Sequence, residues 1–417
     1  MKQRLALFFD GTWNTPENNT NVWRLSLMLA DQDAGGVTQV KFYDEGVGTH
    51  WFDRLSGGMF GVGLSKNIRS GYRWLMEHYN PGDEIFLFGF SRGAFTARSL
   101  AGFIARCGLL RPEAPMSFEQ LYQRYKKGDT VRPIYELKHL QSQGETNFDF
   151  EERTLLDHAY YERNFIKMVG VWDTVGSIGI PFGRFEGISR LTLKFHNTHL
   201  SKIVQNSYQA LALDEHRKPY WAILWTNFVP DHPKETDAPL ADNRMVEQRW
   251  FAGAHCNVGG GYQNDLLEQR PLAWLQEKAH ACGLAFRATI KVTDDDLEMA
   301  PRDSYSEFIG GLWKIITLGR QYVRWVMSDS VRKEAHWRGT SKIEAGSVET
   351  VHERIDLSVI RRCQIHSDYR PANLVEWAQR RKLDLEDVIV HPEKYPQFWS
   401  PVTSPGIESA ILGRRIA

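Results

Sequence analysis

Residues 83–98, DEIFLFGFSRGAFTAR, restrict the possible folds more than any other stretch of the chain. Ile85, Phe86, Leu87 and Phe88 form a short apolar run of β-leaning composition, as expected of a fully buried strand. Gly89-Phe90-Ser91-Arg92-Gly93 follows, a G-x-S-x-G. Ala94, Phe95, Ala97, Leu100, Ala101, Ile104 and Ala105 then recur at helical spacing. A serine between strand and helix on so tight a turn is forced into a strained backbone conformation, and the flanking glycines leave room for it. Its Oγ then stands clear of the sheet, in line with the helix N-terminal dipole. The amide of Arg92, the next residue, is placed to act as an oxyanion donor. By itself G-x-S-x-G is a common motif. Between an apolar strand and a small-residue helix it predicts a nucleophile elbow; the alternative is a Gly-rich turn whose serine caps the helix.

The segments around this stretch read as alternating strands and helices. RLALFF at 4–9 is a buried strand, followed by the turn-rich DGTWNTPENNTN. A helix runs through Val22, Trp23, Leu25, Leu27, Met28 and Leu29, and Val40, Phe42 and Tyr43 mark a second strand. The Gly-rich stretch after it lacks the G-K-[ST] of a phosphate loop. Residues 66–79 read as a helix that ends at Pro81-Gly82. The order β-α-β-α-β-α predicts an α/β fold with a mainly parallel central sheet flanked by helices. Residues 111–160 read as a helical insertion, 165–172 as a strand, 201–213 as a helix, 220–227 and 246–251 as strands, and 272–283 as a helix. The chain is expected to divide into a catalytic core over 1–283 and a less regular, helix-leaning region over 284–417 packed on it. Within the latter, 304–327 has an aromatic-rich amphipathic pattern, read as a packed helix or as a lid or membrane-facing segment.

Candidate reactive residues fall at predicted strand ends. Asp173 directly follows FIKMVGVW, and His255 follows VEQRWF in the small-residue loop AGAHCNVGGGY. The order Ser91, Asp173, His255 is that of α/β hydrolases. A serine needs a base to become a nucleophile, an imidazole is the natural base near neutral pH, and a carboxylate fixes its tautomer. Asp231 is the rival acid, and His196, His199 and His232 are rival bases in less strand-like places. A second oxyanion donor is expected from Gly11 or Thr12 after the first strand. Asp10 beside them reads as a loop support rather than a reacting carboxylate, because an acid next to a forming oxyanion is unfavourable.

The motifs FFDGTWN, GFSRGAFTAR, VGVWDTVGSIG, ALDEHR (212–217) and WFAGAHCNVGGGY occur in that order and resemble the DUF2235 family of α/β-hydrolase domains. That family includes the Tle1-type phospholipase effectors of the type VI secretion system, and the likeness spans roughly residues 4–275. The resemblance implies a Ser-Asp-His hydrolase of ester bonds, with phospholipid the substrate of the effector members. It carries the nucleophile onto Ser91 and supports His255 as base, and it is less decisive for Asp173. It also implies a lipid substrate, peripheral membrane contact, and a secretion-system or immunity partner. Asn257 stands where many members have Asp, so it is held as a residue supporting the site.

Composition narrows the alternatives. Lys+Arg and Asp+Glu balance at 51 each, which argues against a nucleic-acid partner held by broad positive charge. The four cysteines show no CxxC pair, and no HExxH or Ca²⁺ loop occurs, so neither a metal nor a cofactor is expected. The N-terminal apolar run is too short for a signal peptide, so a cytoplasmic location, or export without such a signal, is expected. Two other readings stay open: a soluble carboxylesterase or thioesterase, and a hydrolase fold that has become a binding module.

Overall fold

The computed structural model describes residues 2–11, 18–46, 57–162, 164–175, 203–230, 245–308, 310–327, 332–338 and 341–399. Its frame is a seven-stranded sheet of β1 (Arg4–Phe9), β2 (Gln39–Asp44), β3 (Glu84–Phe90), β4 (Ile166–Trp172), β5 (Val204–Ala212), β6 (Met245–Phe251) and β7 (Glu353–Ile355). The spatial order is β7-β6-β5-β4-β3-β1-β2, and every neighbouring pair is parallel. The chain runs outward from β1 to β2, then returns to place β3 on the other side of β1. Strand order therefore reverses between β1 and β3, and in open α/β sheets ligands bind at the carboxyl ends beside such a reversal.

Two layers cover the sheet, and the period-2 geometry of β1 shows how. Leu5, Leu7 and Phe9 face one side, together with Tyr72 and Leu75 of α2 (Gly57–His78) and Leu100 and Ile104 of α3 (Arg92–Cys107). Ala6 and Phe8 face the other, with Val22 and Leu25 of α1 (Asn21–Met28) and with Leu272 and Leu275 of a later helix, Gln269–Ala281. A strand buried on both faces reads as a continuous apolar run, which is why RLALFF and EIFLFGF were legible as strands. The insertion after α3 is helical as expected: α4 (Phe118–Lys126), α5 (Ile134–Ser142) and α6 (Phe150–His158), with a two-residue ribbon pairing Leu109–Leu110 with Ala159–Tyr160. After β6 come α7 (His255–Gly259) and α8, the Gln269–Ala281 helix.

Three expectations are corrected. The segment read as a helix over 201–213 is β5, a central strand. Val204, Tyr208 and Leu211 fall at helix-like spacing, and the polar residues between them obscured the strand. Those residues are buried and bonded: Gln209 accepts from Thr174 and donates to Ile223 and Gln248, while Asn206 donates to the Lys167 carbonyl. The strand read at 220–227 is instead a 3₁₀ turn at Lys218–Tyr220, a single bridge from Ala222 to Val175, and only then a strand, Thr226–Pro230. That strand pairs with Ser341–Thr350, which pairs in turn with Arg332–Arg338, in a region expected to lean helical.

The third correction concerns 304–327. It is not one amphipathic helix but two short ones, α9 (Ser304–Glu307) and α10 (Leu312–Ile316), followed by an irregular strap over 320–327. Glycines at 310, 311 and 319 and a left-handed Leu318 interrupt the helical pattern. Beyond the strap, β7 leads into α11 (Leu357–Ile365), α12 (Ala372–Arg380) and α13 (Leu385–Val390). Val326, Met327, Ile355, Val359, Leu374 and Trp377 of this region form a third core cluster with Leu211 and Trp250 of the sheet. The stretch 177–200, Asp231, and the histidines at 196, 199 and 232 lie outside the described residues.

Candidate active site

The sharp turn at the end of β3 is enforced by what its glycines touch. A Cβ on Gly93 would lie 1.9 Å from the Phe9 carbonyl oxygen, and one on Gly89 would lie 2.4 Å from that of Gly93. Both contacts are with backbone, so neither can be relieved by a rotamer change. Ser91 between them adopts φ 58° and ψ −117°, the left-handed half of the map where a non-glycine residue is strained. It is the residue before the first turn of α3, so its Oγ lies at the positive end of a 16-residue helix.

Register then brings the other side chains close. Phe90 pairs with Trp172 and Trp172 with Ala210, so Ser91 and Asp173 leave neighbouring strands at the same level. His255 begins α7 four residues after β6. The Ser91 Oγ lies 2.9 Å from His255 Nε2, and His255 Nδ1 lies 2.5 Å from Asp173 Oδ2. The carboxylate can only accept from Nδ1, which leaves Nε2 free to accept the serine proton. All three residues are buried, Asp173 fully and Ser91 at 9% exposure.

Charges around the imidazole set its state. Burial pushes the Asp173 carboxyl up, but Arg324 and the His255 ring outweigh it and hold the group at about 2. Burial is also the largest influence on His255 and lowers it below its ordinary 6.5, against the raising effect of Asp173. The imidazole is therefore neutral, as a general base must be, across the neutral range.

Two supporting residues had been seen only as part of the ALDEHR motif. Glu215 is fully buried and accepts the backbone amide of His255 at 3.2 Å, which fixes the start of α7. Arg217 holds that carboxylate through Nε and Nη2, at 2.8 and 2.7 Å. Burial pushes Glu215 up, but Arg217 more than offsets this and keeps it below the usual carboxylate range. The Arg217 guanidinium also lies 3.7 Å from the Tyr220 ring centre, and Tyr220 meets His255 edge-on at 5.0 Å. Phe90 covers the imidazole from another side at 4.7 Å.

The remaining expected residues divide. Asp10 accepts from the Thr20 hydroxyl at 2.5 Å, the Tyr43 hydroxyl at 2.8 Å and the Gly11 amide at 2.7 Å. The Gly11 N–H, expected to face an oxyanion, is thus engaged by the carboxylate next to it. Thr12 lies outside the described residues. Asn257 caps α7 from within: its Oδ1 accepts the Ala254 and Arg302 amides, and its Nδ2 donates to Asp265 at 2.9 Å. Arg92 is the first residue of α3, directly after Ser91. Among the described residues no group of His, Cys, Asp or Glu is arranged to hold a metal ion.

Residues 3–278 match the family described as type VI secretion system phospholipase effector Tle1-like, catalytic domain. An uncharacterized protein of Saccharomyces cerevisiae is 32% identical over 249 residues, covering 56% of this chain and 34% of its own length. Among solved structures, an uncharacterized protein from Pseudomonas aeruginosa aligns over 73% of this chain and 49% of its own, at 16% identity and a TM-score of 0.39. The Tle1 effector bound to the VgrG spike of the type VI secretion system aligns over 99% of this chain and 83% of its own, at 14% identity and a TM-score of 0.33. The chain thus spans about a third of the yeast relative and about half of the Pseudomonas protein, and the structural scores are too low to carry an assignment.

Proposed function

The chain belongs to the family of Tle1-like phospholipase effector catalytic domains, and from that premise we propose that it is a serine hydrolase of glycerophospholipid esters. One observation carries the reading: the continuous line from Ser91 Oγ through His255 to Asp173, at 2.9 and 2.5 Å. In this mechanism His255 Nε2 takes the Ser91 proton as Oγ attacks the ester carbonyl. Asp173 holds the ring and stabilises the imidazolium that forms. The Arg92 amide receives the oxyanion, with a second donor from the loop after β1, where Thr12 is the candidate because Gly11 is engaged by Asp10. The imidazolium then returns its proton to the departing alcohol, leaving an acyl-Ser91. Water activated by the same ring hydrolyses this ester in the second half-reaction.

A lipid substrate is supported by the surface near the site. Leu312, Ile315, Ile316, Leu318 and Trp325 are all exposed, Leu318 by 84%. The stretch 308–327 contains no acidic residue, and its Lys314 and Arg320 are exposed. Exposed aliphatics and an indole beside Lys and Arg suit contact with an anionic lipid interface. Family membership also supports a secretion-apparatus partner for this chain. The experiment is lipid analysis of phosphatidylethanolamine–phosphatidylglycerol vesicles after treatment with the protein or its Ser91→Ala variant. We expect fatty acid and lysophospholipid from the former, and a loss of at least about 10³-fold in rate for the variant. Full activity in folded Ser91→Ala would overturn the proposal.

A second reading draws support from the likeness to a yeast protein, 32% identical over 249 residues. In it the protein is a carboxylesterase or thioesterase of a small soluble substrate. Hydrolysis of short-chain esters with none of vesicles would select that reading.

A further inference from the structure

The family match ends at residue 278, yet the group in closest contact with the Asp173 carboxylate, apart from His255, comes from residue 324. Arg324 Nη1 donates to Asp173 Oδ1 at 2.6 Å, and Nη2 donates to Oδ2 at 3.0 Å. The same two nitrogens donate to backbone carbonyls, Nη1 to Ala212 at 2.8 Å and Nη2 to Tyr220. One guanidinium thus ties together the end of β5, the turn that carries Tyr220, and the carboxylate at the end of β4. Arg324 and Asp173 are buried, at 2% and 0% exposure.

The strap that delivers this arginine is fastened on both sides. Before it, the Tyr322 amide donates to the His216 carbonyl at 3.0 Å, and the Tyr322 carbonyl lies 3.1 Å from His216 Nδ1. After it, Arg380 Nη2 donates to the Val326 carbonyl at 2.7 Å, and the Met327 amide donates to Glu353 Oε2 at 2.9 Å. Arg380 and Glu353 belong to α12 and β7, so the C-terminal region holds the strap in place.

We propose that Arg324 is a positioning residue of the hydrolytic site, orienting the Asp173 carboxylate and withholding part of its charge from His255. The proposal rests on the Ser91–His255–Asp173 reading above. A bidentate fork fixes the carboxylate plane as well as its place, which a single contact cannot do. With both carboxylate oxygens facing a buried cation, the imidazolium is less stabilised than it would be by a lone carboxylate, and the neutral base persists to lower pH.

The other titratable and charged groups around the ring are Glu215 and Arg217 on one side, Tyr220 at its edge and Cys256 beside it in α7. Arg324→Gln alters none of these side chains and removes one hydrogen bond from the Tyr220 carbonyl. Removing the cation raises the pH at which the Asp173–His255 pair takes up its first proton, whichever of the two binds it.

The test measures inactivation by a fluorophosphonate across pH 4–9, on the full chain, with Ser91→Ala as the blank. Labelling of the wild type at Ser91 tests the parent reading: absence of label ends both that reading and this one. Given labelling, Arg324→Gln is expected to slow it about 100-fold and to move its acid limb up by about one pH unit. Arg324→Lys, which keeps the charge without the fork, is expected to keep the limb in place and to recover only about a tenth of the rate. In an Asp173→Asn background, Arg324→Gln is expected to change the rate less than about two-fold, because residues acting as a unit are not additive. A folded Arg324→Gln protein with wild-type rate and limb overturns the proposal. If Arg324→Gln does not fold, Arg324→Lys at full rate overturns it, as does a multiplicative effect in the Asp173→Asn background.

Discussion

At Asp173 four hydrogen bonds converge on one carboxylate: the Ala212 amide, both Arg324 Nη atoms and His255 Nδ1. This acceptor count explains why the group stays ionised at full burial, where an unpaired carboxylate would take up a proton. The pH dependence follows. In the proposed mechanism Asp173, held at about 2, does not titrate in the working range, and the acid limb belongs to His255, whose value lies below 6.5. The reactive form therefore persists as pH falls through 6.5 and is lost below it. We expect kcat/KM at pH 6.5 to exceed half its plateau, and a limb at or above pH 7 would contradict the assignment. Asp173→Asn leaves the shape intact but favours the wrong tautomer, and should lower kcat by about 10³–10⁴-fold.

The residue scale also shows what sequence reasoning reaches. Ser91 announces itself through its neighbours, because strand, glycines and helix are contiguous. Asp173 and His255 were found by their places at strand ends. Arg324 had no such signal: an arginine in an aromatic-rich stretch resembles a surface charge until the partner 151 positions away is known.

Among the elements, the elbow tolerates least. Gly93→Ala would drive a methyl group into the Phe9 carbonyl at the end of β1 and the Asp10 carbonyl just after it, and β1 and β3 cannot part without breaking their ladder. We expect it to cost about 3 kcal/mol or more, read as a fall in the midpoint of urea unfolding. β5 depends on a different principle. Gln209 joins Thr174, Gln248 and the Ile223 carbonyl inside the sheet. Replacing it with Leu would take the acceptor from the buried Thr174 hydroxyl, while the Ile223 carbonyl keeps Arg98 and Gln248 keeps Trp225, at a cost of about 1–3 kcal/mol. A Gln209→Leu protein as stable as wild type would show that the network contributes little. Such a strand escapes pattern reading because periodicity counts apolar residues, whereas here polar side chains satisfy one another in the interior.

Over the whole molecule, the exposed apolar residues of α10 and the strap lie on the segment that also carries Arg324. If this surface meets a lipid interface, Ile315→Ser combined with Leu318→Ser should reduce vesicle hydrolysis at least about five-fold, since each buried CH₂ contributes about 0.8 kcal/mol. Short-chain ester hydrolysis should hold within about two-fold. Equal loss on both substrates would remove the interface from the account.

Local chemistry was enough to specify the α/β architecture, the elbow at Ser91 and the strand-end positions of Asp173 and His255. Each depends on runs of neighbouring residues: apolar stretches long enough for a buried strand, and glycines where a backbone needs space. Tertiary structure decided the rest. It made 204–212 a strand, broke 304–327 into short helices and a strap, and brought Arg324 and Glu215 to the Asp173–His255 pair. Those outcomes depend on contacts between residues tens to more than a hundred positions apart. A buried charge or amide is stable only beside its partner, and the partner's place is fixed only once the chain has folded.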